Sequence, residues 1–151
     1  MIDGVTVKQL RVIADERGRL MEILRADDAQ FTQFGQVYMT TVRPGVVKAW
    51  HFHKKQTDCM AVVSGMAKIV LYDARPDSPT NGEVNEVFAG EHHPVLVQIP
   101  PGVYHGMKGT GERDAILINT VSEPYDRRRP DEFRLDPYEN DIPYDWALKE
   151  G

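Results

Sequence analysis

Three of the five histidines stand where side-chain geometry gives them chemical meaning. His51 and His53 lie two residues apart in a stretch that reads as a strand. Side chains alternate across a strand, so both imidazoles face the same way. His105 opens another such stretch, directly after Pro100, Pro101, Gly102, Val103 and Tyr104. An imidazole titrates near neutral pH, so strand histidines of this kind can move protons or ligate a metal. His92 and His93 sit in a polar loop before Pro94 and read as surface residues.

The elements that must position these side chains are short. Apolar stretches at 5–13, 19–24, 36–42, 46–54, 59–63, 67–72, 83–89, 95–99, 103–107 and 115–121 recur between Gly, Pro, Asp and Ser turn signals. They are rich in Val, Ile, Tyr, Phe and Thr, which suits strands, and regular short strands with this punctuation point to a β-sandwich or barrel. Only residues 26–34 offer room for a short helical turn. From Pro124 onward, prolines and charges recur without a period, so residues of about 124–151 read as an irregular C-terminal arm.

Composition sets the class. The chain has 151 residues, 41% of them hydrophobic and 27% charged, which is enough for one packed domain and excludes a disordered or fibrous chain. A net charge of −5 argues against nucleic acid, and the basic run Arg127–Arg129 is offset by Asp126 and Asp131. No apolar run approaches the ~20 residues of a membrane span. With one cysteine, Cys59, and no signal-peptide pattern at the N-terminus, the expected location is cytoplasmic.

Around the histidines the spacing is specific. Gly45, His51, His53, Asp58 and Gly65, then Pro100, Gly102 and His105, resemble the two motifs of the cupin superfamily, with Asp58 where cupins usually carry Glu. The resemblance implies an all-β fold, a cupin-type double-stranded β-helix or jelly roll. It also opens a metal alternative, in which His51, His53, Asp58 and His105 hold one divalent transition metal with open positions for substrate. The other reading is a polar pocket without metal.

A closer resemblance covers residues of about 5–146. Asp15-Glu16-Arg17-Gly18-Arg19-Leu20-Met21-Glu22, the segment from Gly45 to His53, Asp73-Ala74-Arg75-Pro76-Asp77-Ser78-Pro79-Thr80 and Ile99-Pro100-Pro101-Gly102-Val103-Tyr104-His105-Gly106 are similar, in order, to motifs of the nucleotide-sugar 3,5-epimerases, the dTDP-4-dehydrorhamnose 3,5-epimerase family. The resemblance implies an isomerase of carbohydrate biosynthesis acting on a nucleotide-diphosphate sugar. Its 4-keto group acidifies neighbouring C–H bonds, a histidine forms the enolate and a tyrosine returns the proton. His51 takes the base's place and Lys48 that of a cation beside the enolate. Gln36, His53, Tyr104 and His105 line the site. Arg17 and Glu22 contact the nucleotide from a neighbouring subunit, and no cofactor is required. The implied assembly is a homodimer of single-domain chains (1–151) that exchange N-terminal strands, residues of about 1–25.

The chain departs from that family at identifiable places. Ile118 occupies the place of the catalytic tyrosine, Asp58 that of a lysine, His53 that of a glutamine and Lys48 that of an arginine. Lysine lacks the planar fork of arginine. His51-Phe52-His53-Lys54 also resembles the H-A-H-K of cupin 3,4-ketoisomerases of dTDP-sugars, in which a tyrosine on the preceding strand lines the pocket; Tyr38 is placed for that. Tyr38 is then either the acid or an ordinary strand aromatic. A catalytically idle sugar-nucleotide binding protein is the remaining alternative. Simple alternation puts Tyr104 opposite His105 and Lys48 away from His51, and only a bulge would bring Lys48 in. Asp136 or Asp141 is available to orient His51.

Overall fold

The structure, a computed structural model, describes residues 1–149. The strands are β1 (Thr6–Gln9), β2 (Val12–Asp15), β3 (Gly18–Met21), β4 (Gln36–Val42), β5 (Val47–Phe52), β6 (Asp58–Ser64), β7 (Met66–Asp73), β8 (Val84–Gly90), β9 (Val95–Ile99), β10 (Val103–Gly109), β11 (Ala115–Val121) and β12 (Phe133–Arg134). Two five-stranded antiparallel sheets run β1-β9-β6-β11-β4 and β12-β5-β10-β7-β8, and β2 and β3 form a hairpin of their own. The fold is all-β and of the cupin type, as the strand spacing and the motifs predict. Among the described residues no helix is long and apolar enough to cross a membrane.

Alternation explains the layers. Val62, Leu117, Val97, Ile69, Leu71 and Val87 point inward and form the main core between the sheets. Two further clusters cover the outer faces. Leu10 with Met21, Ile23 and Leu24 packs over Cys59, Ala61 and Leu96. Ile142, Tyr144 and Trp146 of the C-terminal arm pack over Trp50 and Val70. The arm has one short strand, β12, among its described residues.

Several boundaries differ from expectation by a few residues, His53 falling just past the end of β5, and two differences have a clear physical cause. The stretch 5–13 breaks at Leu10, which turns under the sheet and separates β1 from β2. Residues 26–34 form turns and no helix. There Asp28 accepts from the Arg25 N–H (2.9 Å) and pairs with Lys8 (2.5 Å), so its carboxylate folds the chain back where a helix would continue.

The turn from β7 shows how tightly the connections are held. The Asp73 carboxylate is fully buried and accepts from Arg75 (2.8 Å), Ser78 (2.6 Å) and Thr80 (2.7 Å). The Arg75 guanidinium holds its pKa well below the usual carboxylate range, against the opposing effect of burial.

Candidate active site

A cavity of about 720 Å³ opens at one end of the sandwich, where the inward side chains change from apolar to polar. One wall is β4 with Gln36, Tyr38 and Thr40. The other is β5 and β10 with Lys48, His51 and His105, and His53 just past the end of β5. The arm closes the mouth with Arg129, Asp131, Glu132 and Arg134.

Register places these residues. His51 pairs with His105, but Lys48 pairs with Met107, so β5 carries one more residue than β10 across this interval. This bulge overrides the alternation that would send Lys48 outward, and Lys48 lines the same cavity as His51. Its Nζ reaches across to Thr40 Oγ1 of the facing sheet (3.1 Å). Gly106 sits opposite the extra residue. A Cβ there would lie 2.3 Å from the Ala49 Cβ. Gly102, at φ 84°, makes the turn into β10 with its N–H donating to the His53 carbonyl (2.7 Å), which ties the two histidine segments together.

His51 is half-buried, with Nδ1 3.2 Å from Glu132 Oε1. Desolvation, helped by the neighbouring His105, lowers its pKa to about 4, and Glu132 only partly opposes this. The imidazole is therefore neutral at pH 7, the form a general base needs. Burial works against the charge of Glu132, but Arg134 (2.8 Å) and the nearby histidines hold its pKa low. The carboxylate partner of His51 is Glu132. Asp136 and Asp141 lie on exposed turns of the arm, and Asp136 caps the Tyr138 and Glu139 N–H groups.

Beneath His51 lies a buried polar cluster. Asp58 Oδ1 accepts from Gln56 Nε2 (3.0 Å) and Asn119 Nδ2 (2.7 Å). Its Oδ2 faces His53 Nε2 (3.5 Å) and His105 Nε2 (4.0 Å). The Nδ1 atoms of both rings point to backbone carbonyls, those of Asp131 and Val103. His53, Asp58 and His105 bring one ligand atom each within 4.8 Å of the others, a donor set that fits a divalent transition metal with outer-shell partners in place. His51 is not part of this group, so the four-ligand set expected from the sequence is reduced to three; the ring turns instead to Glu132.

On the facing wall the Tyr38 hydroxyl accepts from Asn119 Nδ2 (2.8 Å). Burial of the hydroxyl and the charge of Asp58 push its pKa up to about 12, so the phenol keeps its proton. Gln36 also lines the cavity, and its Oε1 caps the Tyr125 N–H (2.8 Å).

Several expected site residues lie elsewhere. Tyr104 is outside the cavity, on the opposite face of β10 from His105, with its ring 4.6 Å from that of Phe52. Arg17 and Glu22 are exposed at the β2–β3 hairpin, paired with Asp15 (2.5 Å) and Arg25 (3.1 Å) and away from this chain's own cavity. Ile118 pairs with Met39 and Ala61 and faces out of the sandwich, so it cannot stand for an inward tyrosine. The inward residue is its neighbour Asn119, which the same alternation rule could have found. Glu132 and Asp131 had no such signal, because the arm has no period; Arg129 belongs to the basic run 127–129, which in the sequence reads by default as a solvated charge run and alternatively as a diphosphate contact.

Comparison with known proteins agrees with this geometry. Residues 13–133 match the family described as Polysaccharide biosynthesis C-terminal domain. The chain is 40% identical over 146 residues to the spore coat polysaccharide biosynthesis protein SpsL of Bacillus subtilis, with 97% of each chain covered. It is 40% identical over 140 residues to the probable low-salt glycan biosynthesis epimerase Agl13 of Haloferax volcanii, covering 91% of this chain and 89% of that one. Among solved structures it is similar to a dTDP sugar isomerase of Desulfovibrio desulfuricans, at 35% identity and a TM-score of 0.92, over 99% of this chain and 94% of the other. A match over most of the chain, on the fold and motifs described above, settles its kinship: the chain belongs to the Polysaccharide biosynthesis C-terminal domain family, among the cupin-type epimerases and isomerases of sugar nucleotides.

Proposed function

We propose that this chain is an isomerase of a nucleotide-linked 4-keto-6-deoxy sugar, dTDP-4-dehydrorhamnose 3,5-epimerase-like, that enolises its substrate at His51. One observation carries the reading: an imidazole and a phenol stand on opposite walls of one cavity, where burial favours the neutral form of each. The dTDP sugar isomerase to which the chain is similar supports a nucleotide-sugar substrate, and the probable glycan-biosynthesis epimerase supports the type of reaction.

The 4-keto group makes the adjacent C–H bonds acidic. His51 removes a proton from the face toward β5, and the Glu132 carboxylate stabilises the imidazolium that forms. The Lys48 ammonium meets the enolate oxygen. Tyr38 returns a proton from the β4 wall, which inverts the centre. Lys55, Arg129 and Arg134 at the mouth meet the diphosphate. The substrate's own ketone supplies the acidity, so this route needs no cofactor. The cavity residues belong to a homodimer in this reading, with Arg17 and Glu22 of the exposed hairpin contacting the nucleotide in the partner's cavity. One buried, unpaired cysteine suits a cytoplasmic enzyme.

A second reading rests on His53, Asp58 and His105, whose convergent donors would hold a divalent metal that polarises a substrate oxygen. Chelation separates the two, since the first reading expects full activity in metal-free protein.

The test is incubation with dTDP-4-keto-6-deoxyglucose in D₂O. Deuterium should enter the sugar at C3 and C5, and His51→Asn should slow its entry by about 10²–10⁴-fold. Migration of the keto group with deuterium at one carbon alone would assign a 3,4-ketoisomerase. No deuterium with wild-type protein would remove this substrate and favour a binding protein.

A further inference from the structure

Asn119 is fully buried on β11, and each face of its amide has a partner. Its Oδ1 accepts from the Cys59 N–H (3.1 Å). One Nδ2 hydrogen goes to Asp58 Oδ1 (2.7 Å) and the other to the Tyr38 oxygen (2.8 Å). The amide cannot be turned over. Reversed, it would set its oxygen against the Asp58 carboxylate and its amino group against the Cys59 N–H, a clash of like partners at both ends.

This fixes the sense of the bond to Tyr38. The tyrosine oxygen accepts there, so its own hydrogen is not used. Among the described residues the hydroxyl makes no other hydrogen bond, and it lies on the cavity wall. The hydrogen is left to point at whatever occupies the cavity.

We infer that Asn119 is a positioning residue, locked by Asp58 and Cys59 as a donor to Tyr38 so that the Tyr38 proton is aimed at the substrate. The inference rests on the reading of Tyr38 as proton donor. It also accounts for the departure on β11: the hydroxyl comes from β4, and β11 supplies the amide that orients it. The nearby Asp58 charge further discourages the phenol from ionising.

The experiment measures two rates with dTDP-4-keto-6-deoxyglucose in D₂O, deuterium entry into recovered substrate and formation of product. Removal of the proton by His51 sets the first, and delivery by Tyr38 is needed only for the second. Asn119→Thr, which suits a strand, should lower product formation about tenfold or more, with deuterium entry within about twofold of wild type. Combined with Tyr38→Phe it should cause no further loss. If both rates fall together, or if the losses multiply in the double variant, Asn119 is structural and the inference is overturned. Asn119→Ser serves if the threonine variant does not fold, and failure of both to fold also assigns a structural role. Absence of both rates in wild-type protein would instead sink the Tyr38 reading itself, an outcome visible without any variant.

Discussion

At the residue scale, burial sets the chemistry of His51. Its pKa falls from an ordinary ~6.5 to about 4, because the desolvated ring and its His105 neighbour disfavour the charge more than Glu132 favours it. The folded state thus prefers the neutral ring. That preference stabilises the fold fully above about pH 6.5 and is lost as pH falls toward 4. The acid limb of kcat/KM should accordingly lie near pH 4. A limb near 6.5 in a pH–rate profile would show that the ring is solvated. The His51 and His53 pair was legible in the sequence because alternation is a local rule. Lys48 lines the cavity, but its entry there hangs on a bulge that no local rule predicts. Tyr104 was misplaced because motif adjacency to His105 outweighed parity. Glu132 was invisible, since a carboxylate on an aperiodic arm has no spacing to read.

At the scale of elements, the β5–β10 pair decides where His51 sits. The bulge needs Gly106, whose motif position was legible from the sequence while its reason was not. A methyl group there must displace Ala49, which lies between Lys48 and His51. Gly106→Ala should cost about 1–3 kcal/mol by overpacking, read as a lower urea midpoint. Deuterium entry into substrate should fall further than that loss of folded protein explains, because Lys48 and His51 move with the strand. The Asp73–Thr80 turn was equally plain as a motif, and its buried carboxylate with three side-chain donors gives the physical reason for that residue pattern.

At the scale of the whole molecule, the hairpin and the edge strand β4 are unfinished surfaces. Ile13 and Leu20 on the hairpin and Val37 and Met39 on β4 are exposed, and apolar groups gathered in this way mark association sites. A dimer in which each hairpin serves the other cavity makes a specific demand. Arg17→Ala and His51→Asn subunits, each impaired alone, should recover about a quarter of wild-type activity when refolded together, as random pairing leaves one intact site in each mixed dimer. No recovery, with mixed dimers verified by mass, would place Arg17 outside the site. A β-sandwich or barrel was legible from turn spacing, and the jelly roll from the resemblance of the two histidine motifs. The expected assembly rests on resemblance alone, because a single chain's pattern does not say which copy its hairpin meets.

The arm that closes the cavity also grips the strand beneath it. Trp50 on β5 exchanges both backbone hydrogen bonds with Leu135 (3.0 Å each), and its ring lies 4.9 Å from that of Trp146 near the end of the arm. These are the chain's only two tryptophans. Tryptophan fluorescence therefore comes from one place, the seam between the arm and the strand that carries His51. Undocking of the arm would expose both indoles to water and shift the emission to the red while the sandwich core stays silent, so the molecule carries a built-in optical reporter of whether the strand that bears His51 is clamped.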